Sequence, residues 1–254
     1  MELEGCMREY TDFAYVYDEY MDNIPYDEWC AYLIQLLEEY HINSEDSIVD
    51  LGCGTGTVTR ILDKAGYDCI GIDMSQDMLT IASEKTIDSG QEIIYSLQDM
   101  REFSLPYEVS AMISIGDSMN YITSMDDLKN VFESVKKGLV LGGIFIFDLK
   151  TIHFFKDILR DNTYAENRET SAFIWNNYYE NDTRNNIYDL AIFVQNEDGL
   201  FERFEEQHFQ HGFEVDEVKN AAQAAGLEVI AVYDAFTHNE QNKDSERLYY
   251  IVKK

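Results

Sequence analysis

Proline is almost missing, with 2 residues in 254. So little of it excludes a proline-rich linker, and the 45% hydrophobic and 13% aromatic content belongs to a chain that buries a core. The length suits one main domain with an insertion. Cysteine is scarce as well: Cys6, Cys30, Cys53 and Cys69 form no CxxC pair and no metal-ligand spacing. A disulfide framework and a cysteine-held metal are excluded, and all four are expected to be reduced and structural.

Positive charge is the third shortage. Against 49 acidic residues stand 19 basic ones, a formal net charge of −30. Nucleic-acid binding relies on Lys and Arg displacing counterions from phosphates, so RNA and DNA are not expected partners. The same charge keeps a protein soluble. Finally, no apolar run approaches the ~20 residues of a membrane helix, and the acidic start MELEGCMREY lacks the order of a secretion signal. A cytoplasmic protein with no membrane partner is expected.

Hydrophobic periodicity supplies the elements. Tyr10, Phe13, Ala14, Tyr17 and Met21 recur at helical spacing, as do Trp29, Leu33, Leu36, Leu37 and Tyr40 after Pro25. SIVDL is a strand entering glycines, and VTRILDKAG is a helix stopping at Gly66. YDCIGIDM, EIIYSLQDM and VSAMISIG repeat the strand pattern, with DMLTIASEK helical between the first two. MDDLKNVFESVKKG is a helix ending near Gly138, Gly142 and Gly143 form a loop, and IFIFDLK is a buried strand. Alternating strands and helices predict an α/β Rossmann-like, doubly wound, mainly parallel seven-stranded sheet.

From 151 to 211 the pattern changes. SAFIWNNYYE, NNIYDLAIFVQ and LFERFEEQHFQ alternate apolar and polar residues around the turns NDTR and NEDG, which predicts an inserted antiparallel sheet. Residues 1–150 and 212–254 then form the Rossmann-like domain, the latter with the helix FEVDEVKNAAQAAG and the strands LEVIAVYDAF and RLYYIVKK. The insert's aromatics, Phe173, Trp175, Tyr178, Tyr179, Phe193, Phe201, Phe204 and Phe209, are a packing face, a substrate box or a homodimer interface.

The strongest local motif is Gly52-Cys53-Gly54-Thr55-Gly56, directly after a strand and opening a helix. Such glycines let the backbone turn sharply and approach a ligand. The spacing is GxGxG: a dinucleotide fingerprint would need glycine where Thr57 stands, which disfavours an NAD-dependent oxidoreductase. Asp73 ends the next strand 17 residues after Gly56, where a carboxylate can accept from both hydroxyls of a ribose. Loop and acid together predict a nucleoside ligand.

IVDLGCGTG, IGIDMS and the later QDM resemble the successive cofactor motifs of class I S-adenosylmethionine-dependent methyltransferases, over about Ser47 to Lys150. GDSMNYI with DDLKNVFESVKKGLVLGGIFIFD further resembles a bacterial branch with an inserted antiparallel sheet. The resemblance implies S-adenosylmethionine as cofactor. It implies that Gly52, Gly54 and Gly56, with Cys53 between them, line its methionine and ribose, that Asp73 holds the ribose, and that Met74 and Met78 flank the adenine. Asp99 would accept from the adenine amino group and Met100 would add an apolar wall. Asp50 either serves the loop amides and the methionine amino group or is structural. An aromatic amino-terminal helix implies a lid, drawn from Tyr10, Tyr15, Tyr17 and Tyr20, with Tyr17 as the preferred contact.

Ile115, Gly116 and Asp117 leave the fourth strand beside the expected sulfonium, at the carboxyl edge where open parallel sheets bind ligands, which puts Ile115 with the cofactor-binding residues and lets acceptor-facing residues begin with Asp117, Ser118, Asn120 and Tyr121. Asn120 and Tyr121 serve equally well as caps of the following helix. Transfer from a sulfonium asks mainly for alignment and exclusion of water. A hydroxyl acceptor also benefits from a base, for which Asp117, His153, His208 and His211 are the candidates. The charge favours a small-molecule methyl acceptor, through nitrogen or oxygen. A noncatalytic module that only binds the cofactor has the same motifs.

Overall fold

The computed structural model describes residues 14–254. Cys6, Tyr10 and Phe13 of the expectations above lie outside the described residues, as does the side chain of Tyr15. Two helices come first, α1 (Ala14–Tyr20) and α2 (Tyr26–Glu39). There follow β1 (Ser47–Leu51), α3 (Thr57–Lys64), β2 (Asp68–Asp73), α4 (Gln76–Asp88), β3 (Ile94–Leu97), β4 (Val109–Ser114), α5 (Met125–Gly138) and β5 (Leu139–Lys150). Strands β6 (Thr163–Asn167), β7 (Ser171–Glu180), β8 (Asn185–Gln195) and β9 (Phe201–His211) make the insert, before α6 (Val215–Ala225), β10 (Glu228–Asp234) and β11 (Arg247–Lys253).

The main sheet has seven strands in the order β10-β11-β5-β4-β1-β2-β3, parallel but for β11, which runs antiparallel to both neighbours. Helices cover both faces. Along β5, Phe145, Phe147 and Leu149 join the core beneath α5 and α6, while Ile144 and Ile146 join the core beneath α2 and α3. A strand buried on both faces is therefore apolar at every position, which is why IFIF shows no alternation. Strand order reverses between β1 and β4, so the segments after these two strands border one crevice.

Three features depart from expectation. Gly142 and Gly143 are not a loop: the Gly142 N–H donates to Lys254 O and the Lys254 N–H to Gly143 O, both at 3.0 Å, so the sheet ladder continues through them. The insert also holds a fourth strand, β6, which the polar TYAEN did not signal, and a π-helical turn at Phe154–Leu159.

The insert is a four-stranded antiparallel sheet, β6-β7-β8-β9. Its inner face packs on α1 through Val16, Tyr20 and Ile192, and on the π-helical turn through Phe155, Leu159 and Tyr188. Phe173, Trp175, Tyr179 and Phe204 join these clusters, whereas Tyr178, Phe201 and Phe209 are exposed. The stripe is thus split between a packing face and an outer face. Among the described residues no helix is long and apolar enough to cross a membrane.

Candidate active site

The chain after β1 turns through three left-handed glycines, with φ of +73° at Gly52, +53° at Gly54 and +73° at Gly56. Their surroundings differ. A Cβ on Gly56 would sit 2.4 Å from Tyr95 Oη, and one on Gly52 2.7 Å from Ser118. One on Gly54 would meet nothing within 4 Å, and the same is true of Gly116 after β4. Two glycines thus pack against the protein, and two face open space along the crevice.

Asp73 fixes this arrangement from the end of β2. Its Oδ2 accepts from the Gly54 N–H and its Oδ1 from the Ser75 N–H, both at 2.8 Å. Burial pushes its pKa up, opposed by these amides. The Met74 amide acts on it as well, and a carboxylate's roughly four acceptor sites leave room for a ribose hydroxyl beside these three amides. Met100 places its methyl against Gly52. Met74 stands at the surface, 65% exposed, while Met78 is 3% exposed and packs on the buried side of α4, so only the first has free surface beside the crevice. Cys53 and Ile115 are buried, and Cys53 turns its Sγ toward Gly71, leaving its backbone to the loop. Cys30, Cys53 and Cys69 are free thiols.

Asp50 is fully buried and takes the Thr59 hydroxyl at 2.6 Å. Burial pushes its pKa up to about 7, Asp73 adding to the rise. Asp99 is gripped by the Arg101 guanidinium, Nε lying 3.0 and 2.9 Å from its two oxygens, a pairing the motif did not foreshadow. Burial acts to raise its pKa, but the Arg101 bonds prevail and lower it.

The turn after β4 corrects several expectations. Ser118 donates to Gly52 O at 3.2 Å, seating the turn on the glycine loop. Asn120 is buried and bonds the backbone of Lys150 and His211, so it is a strut. Asp117 is no base: Lys150 lies at 2.8 Å, Arg247 at 3.0 Å and Gln210 at 2.9 Å. Desolvation works to raise its pKa, yet the two cations hold it down at about 2. A carboxylate so saturated accepts no proton near neutrality. Arg247 also pairs with the buried Asp148, whose Oδ1 takes the Asp117 N–H at 2.9 Å.

The histidines separate. His153 pairs with Asp157 on the π-helical turn, 3.0 Å away. His211 lies elsewhere: its Nδ1 meets Asn185 Oδ1 at 2.8 Å, its ring packs edge-on against Phe213, and burial, with Arg184 nearby, lowers its pKa. His208 alone faces the post-β4 turn, with Nδ1 3.3 Å from Tyr121 Oη and Nε2 3.0 Å from Glu206 Oε2.

Helix α1 lies against the glycine loop. Asp18 accepts from Thr55 of the glycine loop at 2.7 Å and pairs with Lys85 of α4, while Tyr20 donates to Ser171 of the insert at 2.7 Å. Tyr17 is half-buried and bonds Tyr26, whose phenol burial pushes up to about 12. Asp18, Tyr26, Lys150, Glu206, Gln210 and Arg247 escaped sequence reasoning. Asp148 inside an apolar strand was the one available sign that a buried cation had to be near.

The model of a methyltransferase domain matches residues 48–143. A Bacillus subtilis (strain 168) protein named as a methyltransferase, YqeM, is 34% identical over 96% of this chain and 97% of its own. The crystal structure of an S-adenosylmethionine-dependent methyltransferase from Clostridium acetobutylicum superimposes with a TM-score of 0.84 at 26% identity, covering 95% of this chain and 97% of that one. A sugar N-methyltransferase from Streptoalloteichus sp. shares the fold, with a TM-score of 0.75 at 16% identity over 93% and 92% of the two chains. The glycine loop clamped by Asp73 and the strand order with its single antiparallel member agree with these likenesses, and the chain belongs to the class I S-adenosylmethionine-dependent methyltransferases.

Proposed function

We propose that this methyltransferase acts on a nitrogen or oxygen of a small polar molecule held between the carboxyl edge of the parallel sheet and the inner face of the insert. The observation that carries the reading is the open space over Gly54 and Gly116 at the crevice where strand order reverses, beside the Asp73 clamp. The residues fit S-adenosylmethionine, which supplies an electrophilic methyl group when bound. Gly52, Gly54 and Gly56 would border its methionine and ribose, Asp73 would take a ribose hydroxyl, and Met74 and Met100 would offer apolar contact. Asp99, already paired with Arg101, retains lone pairs for an adenine amino group.

The acceptor side is polar and sized for a small molecule. A cleft of about 350 Å³ is lined by Lys150, Phe154, Asp234, Phe236, Glu246 and Arg247, among others. Lys150 and Arg247 connect it to Asp117 and so to the turn seated on the glycine loop. This lining and the charge of −30 support a small-molecule acceptor over nucleic acid. The sugar N-methyltransferase of the same fold supports nitrogen as the atom methylated. The insert, 151–211, would shape this cleft, while 1–150 and 212–254 bind the cofactor. The chain's own contribution is alignment of the acceptor and exclusion of water.

Calorimetric titration with S-adenosylhomocysteine tests the reading, with Asp73→Ala and NAD as controls. Wild type binds, the variant binds tenfold or more weakly (~1.4 kcal/mol), and NAD does not bind. Absence of wild-type binding refutes the site assignment. Binding without methyl transfer to any amine or hydroxyl of a broad panel would favour a noncatalytic module.

A further inference from the structure

A small acceptor that gains a methyl group must lose a proton, and the crevice offers few groups able to receive it. Asp117 is saturated by two cations and Gln210, Asp148 is sealed behind Arg247, and the His211 side chain is turned to Asn185 and Phe213 rather than to the post-β4 turn. His153 is tied to Asp157 on the π-helical turn. What remains is a chain of three side chains leading inward from the post-β4 turn. Tyr121 Oη stands 3.3 Å from His208 Nδ1, and His208 Nε2 stands 3.0 Å from Glu206 Oε2.

The backbone explains why the three meet. Glu206, His208 and Gln210 alternate along β9, so all three project from its inner face, where each is buried. Gln210 accepts from the Tyr188 hydroxyl at 2.5 Å and donates to Asp117 at 2.9 Å, locking β9 to the residue that begins the post-β4 turn. Tyr121 closes that turn, and Ser118, three residues before it, holds Gly52 O. The Tyr121 ring meets the imidazole edge-on, at 5.9 Å between centroids and 80°. Tyr121 is half-buried, whereas His208 and Glu206 are 3% and 6% exposed. The outer member of the chain is thus the one nearest the crevice, and the inner carboxylate is withdrawn from water.

We infer that Tyr121, His208 and Glu206 form a proton relay for the acceptor, with Tyr121 touching the acceptor and His208 and Glu206 positioning and charging it from behind. The inference rests on the proposed function. The acceptor lone pair forms a bond to the methyl carbon while the carbon–sulfur bond breaks and its electron pair stays on sulfur. The acceptor's proton passes to Tyr121 Oη as the phenol's own proton passes to His208 Nδ1. The imidazolium so formed keeps its Nε2–H on the Glu206 carboxylate. A carboxylate behind an imidazole fixes both tautomer and charge in this way. Of the charged groups, Glu206 contacts His208 directly, and two residues further along β9 Gln210 bonds Asp117, which pairs with Lys150.

The relay requires the ring to carry its proton on Nε2 and leave Nδ1 bare. Long-range ¹⁵N–¹H spectra of the full chain loaded with S-adenosylhomocysteine report this directly, His208 being assigned by its loss in His208→Gln. An Nε2–H ring whose Nδ1 signal moves in Tyr121→Phe supports the relay; a protonated Nδ1, or one indifferent to Tyr121→Phe, overturns it. Turnover of amino sugars and amino alcohols, followed by S-adenosylhomocysteine release, gives the second readout. Tyr121→Phe and His208→Gln should lower kcat about 100-fold with the KM for S-adenosylmethionine within about twofold, and Glu206→Gln should fall between. Unchanged kcat overturns the relay. A wild type that fails to bind S-adenosylhomocysteine instead refutes the underlying function, so the two failures are distinct.

Discussion

Thr55, in the glycine loop, donates its hydroxyl to Asp18 of α1 across 2.7 Å, and this bond ties the cofactor loop to the helix that lies against it. Lys85 reaches the same carboxylate from α4, and on the far side of α1 Arg168 of the insert pairs with Asp22 at 2.7 Å. Among the described residues α1 runs Ala14–Tyr20, and the glycine loop, α4 and the insert each hold it. Its position is therefore a sum of these contacts. Thr55→Val keeps the shape and removes one hydrogen bond at a buried site. The expected cost is about 1 kcal/mol in urea unfolding, with S-adenosylhomocysteine affinity reduced a fewfold by calorimetry. Equal affinity would show that α1 and the loop act independently.

The glycines make a paired prediction. Gly54 and Gly56 are both left-handed, so alanine strains the backbone at either, by about 1 kcal/mol. Only at Gly56 does the new Cβ collide with the protein, at 2.4 Å from Tyr95 Oη and 3.1 Å from Ala82. Gly56→Ala should lose about 2–4 kcal/mol in chemical unfolding. Gly54→Ala should lose about 1 kcal/mol yet bind S-adenosylhomocysteine at least tenfold more weakly, because its Cβ projects into the crevice. Similar stability losses in the two variants would refute the distinction.

Asp50 gives a pH dependence of defined sign. Burial raises its folded pKa from 3.8 to about 7, so between these values the folded protein holds a proton that the unfolded chain has released. Its contribution is fully present below the unfolded pKa and is lost as pH rises through the folded one. Asp50→Asn keeps the neutral form's shape and the bond from Thr59. The variant should be more stable than wild type by about 1–2 kcal/mol at pH 5 and by about 4 kcal/mol at pH 8. Denaturant melts at the two pH values decide it, and a stability difference independent of pH would mean that the carboxylate is ionised throughout.

Sequence reasoning reached the main sheet because each parallel strand carries an apolar run closed by a turn, and IVDLGCGTG with Asp73 couples a loop to an acid over a short, fixed span. It reached the partners of those groups less well. Asp148 and Arg247 lie 99 residues apart and become neighbours only because β11 inserts beside β5. His208 and His211 look alike in the string FEEQHFQH. Only the register of β9 against β8 and the docking of the post-β4 turn set one against Tyr121 and the other against Asn185. The glycines at 142 and 143 looked like a loop because the pairing they join is completed by Lys254.

The Asp117–Arg247–Asp148 cluster should be the most sensitive point of the site. Arg247 is buried against both carboxylates and lies over the Trp29 ring, 5.3 Å from its centroid. Asp117 also has Lys150, whereas Asp148 has Arg247 alone among the ion pairs of the described residues, and burial accordingly raises the pKa of Asp148 while that of Asp117 falls to about 2. Arg247→Met preserves bulk but strands Asp148 and leaves Asp117 half-paired. Such a break in a buried network costs about 3–5 kcal/mol. For Asp117, whose folded pKa is depressed, stability is present above pH 3.8 and lost as pH falls toward 2; in the variant the folded pKa moves back up, so this contribution shrinks and its loss on acidification is complete at a higher pH. Adding Asp148→Asn to Arg247→Met removes the stranded charge and should return about half of the lost stability. A double variant no more stable than the single one would place the cost in packing against Trp29 instead.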